Sequence, residues 1–378
     1  NRRYQDRDKL NKLFDELLKI RHQIAQNAGF KNFRDYMFAE MGRFDYDVTS
    51  CEQFHEAIKT EVIPLVKKIH QKRKQQLNVD KLFPYDLEVD AENLPALKPF
   101  STQDELIEKS VTCLNKVDPF FAECISIMDN MHYLDLNSRK GKAPGGYNMT
   151  LPEIGVPFIF MNAAGTHRDL ETMVHEAGHA VHSFLMRTLP YNFDQDISSE
   201  SAELASMSME LMTFDGLDAF YNEADKKRAI ETHLEGIITM LPWIALIDKF
   251  QHWIYTNPTH TSVDRENKWL ELSKELSSDE VDWSGYEDFR KALWHKQLHI
   301  FEVPFYYIEY GIAQLGALAV WRNYKQNKAK AIEDYKNALQ LGYTKPIPEM
   351  YKTAGIEFNF SAEYVKELMD FLSKELNS

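Results

Sequence analysis

The chain has 378 residues, of which 44% are hydrophobic, 12% aromatic and 27% charged, and this composition excludes disordered, collagen-like and low-complexity proteins. Its 44 basic and 58 acidic residues give a net charge of −14, which disfavours binding to nucleic acid or to an anionic membrane. We therefore expect no nucleic-acid partner and no membrane partner. The one basic run, KKIHQKRKQQ at 67–76, is interpreted as the solvated face of a long helix.

The sequence also bears on location. No stretch approaches the roughly 18 uncharged apolar residues of a membrane span, and the opening residues NRRYQDRDKL lack the apolar core of a secretory signal. Cys51, Cys113 and Cys124 show no CxxC spacing, so they are expected to be buried thiols. These features predict a cytoplasmic protein. The chain opens without methionine, which leaves open a missing N-terminal segment of the same protein as a partner.

In chain order, the hydrophobic spacing predicts a mostly α protein with one small sheet. Apolar residues recur at helical spacing over 8–39 and again over 51–77. A further helix is expected over 102–131, with Thr102 as its N-cap. At 131–162 turn residues separate β-branched and aromatic residues, which predicts two or three short strands. Helical spacing then returns for the remainder of the chain.

One motif carries chemistry. The segment ETMVHEAGHAVHSF contains the pentapeptide His175–His179, of the form HExxH. On a helix the i, i+4 spacing puts the two histidines on one face, where both imidazoles can bind one zinc ion. Glu176 then faces the metal-activated water as its general base. Thr166 and Asp169 predict a capping box at the start of this helix.

A catalytic zinc requires a third protein ligand. The segment ISSESAELASMSMELM reads as a new helix capped by Ser198 or Ser199, and it offers Glu200, Glu203 and Glu210 as candidates. We interpret Glu200 as a charge stabilised by the N-terminus of this helix. The strand-like segment VPFIFMN, just upstream of the motif, is expected to provide the sheet edge along which an extended peptide can pair its backbone.

Together, HEAGHAVH and ESAELASMSMELM resemble the thimet oligopeptidase and oligoendopeptidase F family of zinc metallopeptidases. The resemblance implies that His175, His179 and Glu203 bind one Zn²⁺ per chain. It also implies that Glu210, seven residues after Glu203, orients a ligand histidine. His182 recurs in the family as well, and we interpret it as structural.

A second segment, HIFEVPFYYIEYGIAQLGA, is similar to the Tyr-rich C-terminal stretch of the same family. The resemblance implies that Tyr310, helped by Tyr307 and His299, donates hydrogen bonds to the oxyanion, and Tyr306 also fits the pattern. Without the family, these aromatic residues would be interpreted as a buried stripe on a helix.

The segment APGGYNMTLPEIG resembles the glycine loop of the family, so Gly145, Gly146 and Tyr147 are expected to line the cleft. A hairpin that needs positive φ at glycine explains the same residues nearly as well.

The resemblance implies a mostly α, zincin-like catalytic domain with a small β-sheet bordering a deep cleft. We expect a helical region at 1–130 that forms part of the cleft and a zinc-binding catalytic region at 131–378. The parts of the second region are a small sheet at 131–162, the HExxH helix at 166–187, the glutamate helix at 199–214 and the Tyr-rich segment at 299–315. Full-length members carry a further N-terminal region that forms one wall of the cleft.

The implied function is that of a metalloendopeptidase, a hydrolase that cuts internal bonds of short unstructured oligopeptides. Two alternatives stay open. The first is a dipeptidyl carboxypeptidase of the same family, and the second is a zinc-containing module that binds peptides without cleaving them.

Overall fold

The structure is a computed structural model that describes residues 2–377, and it confirms a mostly helical fold with one small sheet. The α-helices of the described residues are α1 (Arg2–Gln5), α2 (Arg7–Asn27), α3 (Phe33–Glu40), α4 (Val48–Ala57), α5 (Ile63–Leu77), α6 (Gln103–Val117), α7 (Pro119–Asn130), α8 (His167–Met186), α9 (Ser199–Met212), α10 (Glu223–Thr256), α11 (Ser262–Glu275), α12 (Glu287–Lys291), α13 (Leu298–Glu302), α14 (Ile308–Gln326), α15 (Lys328–Leu339), α16 (Ile347–Thr353) and α17 (Ala362–Leu376). The strands are β1 (Leu134–Asn137), β2 (Tyr147–Met149) and β3 (Phe158–Ala163).

The chain forms two compact units, each assembled from separated stretches. The first unit contains the chain up to Leu94, together with 235–311 and 360–370. The second unit contains 95–234, 312–359 and the residues from Phe371 onward. The division at residue 130 that we draw from the sequence concerns the cleft and the metal-binding region, and it stays a prediction.

Local signals explain where several helices begin and end. Thr102 caps α6, and its side chain accepts a hydrogen bond from the backbone N–H of Glu105 at 3.1 Å. The single helix expected over 102–131 is in fact two helices, because Pro119 disfavours helical geometry at the residue before it. Asp118 is accordingly extended, with φ −154° and ψ 132°. Its side chain caps α7 by accepting from the N–H of Phe120 at 2.8 Å.

The sheet has the order β1-β3-β2, with β1 parallel and β2 antiparallel to β3. The expectation that VPFIFMN forms a sheet edge is therefore wrong, because β3 is the central strand. The glycine-bearing loop folds the chain back so that Tyr147 pairs with Phe160 and Met149 pairs with Phe158. The short strand β2 thus occupies the edge.

A buried lysine ties the loop before β2 to the other two strands. The side chain of Lys142 is 1% exposed, and its ammonium donates to the backbone oxygens of Asp135 and Asn137, both at 2.9 Å, and to that of Met161. It also bonds the Asp135 carboxylate at 3.1 Å. Because a buried ammonium needs partners, this network holds the loop against β1 and β3.

Helix α10 is long and apolar, although charged residues interrupt it. By length and composition alone it is apolar enough to cross a membrane, with a mean hydropathy of 1.3 over 18 residues. Half of that window is buried inside the protein. Core helices pass the same test of length and composition.

Candidate active site

The capping box predicted for α8 is present and determines where the helix begins. Thr166 Oγ1 accepts from the N–H of Asp169 at 3.3 Å, and Asp169 Oδ2 accepts from the N–H of Thr166 at 2.8 Å. His175 and His179 therefore lie in the interior of α8, one turn apart, and their ring centroids are 4.8 Å apart.

Helix α9 packs directly on the backbone of α8 at Gly178. A Cβ atom at this glycine would lie 2.6 Å from Ser206 Cα and 2.8 Å from the carbonyl oxygen of Ala205. Real Cβ atoms do not approach backbone so closely, so only glycine permits this packing. The close contact brings α9, and with it Glu203, next to the two histidines.

Three side chains of α8 and α9 converge on one point. Glu203 Oε2 is 3.3 Å from His175 Nε2 and 3.8 Å from His179 Nε2, and the three ligand atoms all lie within 4.8 Å of one another. Two imidazole nitrogens and one carboxylate oxygen form the ligand set of a catalytic zinc, which leaves one position open. The residues present therefore fit Zn²⁺. The structure brings the three predicted ligands together, and their binding of zinc stays a prediction.

Hydrogen bonds orient these candidate ligands. His175 Nδ1 is 2.6 Å from Glu210 Oε1, which leaves Nε2 for the convergence point. Ser206 Oγ donates to Glu203 Oε2 at 3.0 Å. Burial lowers the pKa of His175, but the adjacent Glu203 and Glu210 carboxylates outweigh it and raise that pKa well above its ordinary value. The pairing is the carboxylate–histidine arrangement common around metal sites.

Two further residues, His233 and Glu171, belong to this network and were not predicted from the sequence. His233, on α10, lies with its Nε2 3.3 Å from Glu210 Oε2 and its Nδ1 2.8 Å from Glu171 Oε1. Glu210 is thus held between two histidines. His233 lies outside both motif segments, and Glu171, the first residue of ETMVHEAGHAVHSF, gains its place in the network only through its contact with His233. Only the packing of α10 in the structure brings His233 there.

Glu176 differs from the other carboxylates of the site. It is 5% exposed, and its Oε2 has no hydrogen-bond partner among the described residues. Burial raises its pKa to about 7. A carboxylate with a pKa near neutrality both accepts and releases a proton readily at neutral pH, which suits a general base.

The other candidates on α8 and α9 lie outside the three-ligand group. His182 is buried, and burial lowers its pKa to about 3, so it is a neutral residue inside the protein. Glu200 lies buried in the first turn of α9. Ser198 is the N-cap of α9 and is extended, but its side chain accepts no capping hydrogen bond from the backbone of the helix.

The glycine loop borders α8. Gly145 has φ +103°, a conformation that favours glycine. A Cβ at Gly146 would lie 3.2 Å from the Thr172 methyl group on α8. Tyr147 is 45% exposed and stacks on Phe160 of β3, with 5.0 Å between ring centroids. The edge strand therefore lies beside the HExxH helix, with an exposed side chain.

The predicted Tyr-rich residues form a cluster within the first unit. The His299 ring centroid is 5.0 Å from that of Tyr307 and 5.9 Å from those of Tyr306 and Tyr310. Gln297 Nε2 is 2.7 Å from His299 Nδ1. Burial raises the pKa of Tyr307 to about 12, so its hydroxyl stays protonated. The structure brings these four aromatic residues together, and their catalytic role stays a prediction.

Comparison with known proteins decides the family. The model of peptidase family M3 matches residues 1–370. The chain belongs to peptidase family M3. It is 24% identical over 355 residues to an oligoendopeptidase F homologue of Borreliella burgdorferi, covering 91% of this chain and 58% of that protein. It is 25% identical over 345 residues to oligopeptidase PepF of Bacillus subtilis, covering 88% of this chain and 50% of that protein.

Solved structures of M3 relatives share the fold. The structure of PZ peptidase A with an inhibitor aligns with a TM-score of 0.91 and 30% identity, over 99% of this chain and 66% of that one. A Bacillus anthracis protein assigned as an oligoendopeptidase F aligns with a TM-score of 0.84 and 29% identity, covering 99% of this chain and 64% of that one. The chain thus spans less than two thirds of the length of these M3 relatives.

Gly178→Ala tests the close packing of α8 and α9. We expect it to lower the free energy of unfolding by about 1–3 kcal/mol, as overpacking does, and to weaken zinc binding because Glu203 moves away from the histidines. Gly236→Ala on α10 is the matched control, since nothing lies within 4 Å of its added Cβ. Its free energy of unfolding should rise by about 0.5–1 kcal/mol, because alanine favours the helix more than glycine does. Denaturant unfolding and zinc titration measure both effects. Equal behaviour of the two variants would contradict the packing argument.

Proposed function

We propose that this chain is a zinc-dependent oligopeptidase that hydrolyses internal bonds of short unstructured peptides. The observation that carries the proposal is the convergence of His175, His179 and Glu203 beside Glu176, a buried carboxylate whose Oε2 has no hydrogen-bond partner within residues 2–377. Relatives named oligoendopeptidase F and oligopeptidase support the substrate class.

His175, His179 and Glu203 would hold the zinc ion. When bound, zinc polarises a carbonyl and lowers the pKa of water. Glu176 accepts the proton of the attacking water on its carboxylate and then delivers it to the nitrogen of the leaving amine. The raised pKa of Glu176, about 7, suits both halves of this transfer because neither form is strongly favoured near neutral pH.

Glu210 orients His175, one of the proposed zinc ligands. Its hydrogen bond to His175 Nδ1, at 2.6 Å, selects the tautomer whose Nε2 can bind a metal. His233 holds the other oxygen of Glu210, so the carboxylate cannot rotate away without losing a partner. These contacts keep the ligand histidine in one orientation.

The free edge of β2 is where we propose that the substrate backbone pairs. An unpaired edge strand offers N–H and C=O groups to an extended peptide. Tyr147 and Met149 are both exposed on this strand, so side chains of a bound peptide would meet them. For the oxyanion we propose the hydroxyl groups of Tyr310 and Tyr307, assisted by His299, as the family resemblance implies.

The test is hydrolysis of a mixed library of quenched oligopeptides by the purified chain, with zinc present and after chelation. We expect cleavage that zinc restores, and mass spectra of the products that show cuts inside the peptides. Release of C-terminal dipeptides alone would replace the proposal by the dipeptidyl carboxypeptidase. Tight peptide binding by the zinc-loaded chain without cleavage would contradict the proposal and favour a binding module.

A further inference from the structure

A second set of metal-ligating side chains lies inside the first unit, outside the site described above. Cys51 and His55 are four residues apart on α4, and Asp248 and His252 are four residues apart on α10. This spacing puts each pair on one face of its helix. The Cys51 sulfur, an Asp248 oxygen and a His252 nitrogen all lie within 4.8 Å of one another. The exposed fractions are 1% for Cys51, 0% for Asp248 and 7% for His252.

Several polar atoms of this set are buried without a hydrogen bond. Asp248 Oδ2 is 2.8 Å from His55 Nε2, but Asp248 Oδ1 and both ring nitrogens of His252 have no hydrogen-bond partner among the described residues. His252 Nε2 lies 3.2 Å from Asp248 Oδ2, so the same carboxylate oxygen faces both histidines, while Asp248 Oδ1 and His252 Nδ1 have no such contact among the described residues. A buried polar group left without a partner destabilises the folded state, because it has lost its hydrogen bonds to water. Some further interaction is needed to offset that cost.

Apart from the Asp248 carboxylate and the cysteine sulfur of the same set, the described neighbours of the His252 ring are aromatic. Its ring packs edge-on against Phe38, at 5.9 Å between centroids, and against Phe305, at 5.5 Å. The His55 ring is 5.7 Å away, also edge-on. Aromatic rings do not provide the strong hydrogen bond that an imidazole nitrogen requires. A metal cation bound by sulfur, oxygen and nitrogen would instead take up the lone pair of that nitrogen.

The chemistry of the donors selects the metal. A thiolate, an imidazole and a carboxylate together suit zinc, whereas magnesium and calcium prefer oxygen ligands only. The negative charges of the Cys51 thiolate and the Asp248 carboxylate would neutralise a divalent cation, which a buried site requires. The hydrogen bond from His55 to the carboxylate is the kind of contact that orients a ligating group.

We propose that Cys51, Asp248 and His252 bind a second zinc ion, which joins α4 to α10 inside the first unit. His55 positions the Asp248 carboxylate. On binding, the Cys51 thiol releases its proton to solvent, and the sulfur lone pair forms the metal bond. Three protein ligands leave the fourth position of a tetrahedral zinc to a water molecule. Because the ligands are buried and belong to two helices, the role of this zinc is to hold α4 against α10.

Cobalt distinguishes the two sites. The chain is produced in medium where Co²⁺ replaces zinc, and its absorption spectrum and metal content are measured. A thiolate-to-cobalt charge-transfer band in the near ultraviolet can come only from a site with cysteine, and the set His175, His179 and Glu203 contains none. We expect the band and two metal ions per chain in the wild type.

Cys51→Ser should lose the band and one of the two metal ions, and Cys113→Ser is the matched control because Cys113 is equally buried in the other unit. Circular dichroism verifies that each variant is folded. If Cys51→Ser does not fold, X-ray absorption at the zinc edge of the wild type still detects a sulfur neighbour. Absence of a sulfur ligand in the folded wild type, or a band that persists in folded Cys51→Ser, would overturn the proposal.

Discussion

Glu176→Gln is expected to lower kcat/KM for oligopeptides by about 10²–10⁴-fold, the range that a positioned general base contributes. Glutamine keeps the size of the side chain but cannot accept a proton. The zinc affinity should stay unchanged, because Glu176 is not among the three converging ligands. Stopped-flow hydrolysis of a quenched peptide, with metal content measured on the same sample, gives both quantities.

Glu200→Gln is the control for Glu176→Gln. Glu200 is likewise a buried glutamate, on α9, and it lies outside the ligand group. We expect the Glu200 variant to keep most of its activity. A Glu176 variant that retains more than a tenth of the wild-type rate with zinc bound would contradict the assigned role of Glu176.

Glu203→Gln is expected to reduce zinc affinity by more than about 100-fold. Removal of a residue that only hydrogen-bonds to a ligand costs roughly 10–100-fold, and loss of a ligand should cost more. The amide oxygen is neutral, so the variant loses both the ligand charge and the ion pair with His175. Peptide hydrolysis should fall in parallel and should recover only at high zinc concentration. Competition with a zinc chelator measures the affinity.

Glu210→Gln provides the graded comparison. Glu210 contacts His175 Nδ1 rather than the convergence point, so its replacement should cost about 10–100-fold in affinity. The expected order of zinc affinity is therefore wild type, then the Glu210 variant, then the Glu203 variant. A reversed order of the two variants would mean that Glu210 is itself the ligand, and would refute the assignment of Glu203.

Local signals in the sequence predict the elements that carry the site. The capping box of Thr166 and Asp169 locates the start of α8. His175 and His179 then fall within the helix, where their i, i+4 spacing puts them on one face. The choice of Glu203 over Glu200 required the family resemblance, because propensity does not distinguish glutamates along one helix. The structure then adds the physical reason, which is the contact at Gly178 that fixes which residue of α9 faces α8.

Features that depend on packing between distant segments were not predictable in this way. His233 meets Glu210 only through the placement of α10, and the order of the three strands is not encoded in any one of them. The same holds for Cys51 and Asp248, which are nearly two hundred positions apart in the sequence. The interruption at Asp118, by contrast, is readable in advance, because a proline follows it.

The three residues of β2 also limit what the sheet can attract. A long exposed edge recruits strands from other chains and leads to aggregation. An edge only as long as Tyr147–Met149 offers too few backbone groups to hold another sheet, yet it can still hold a few residues of a peptide. The brevity of this strand therefore limits the length of any sheet-to-sheet pairing at an edge that can still take a short peptide.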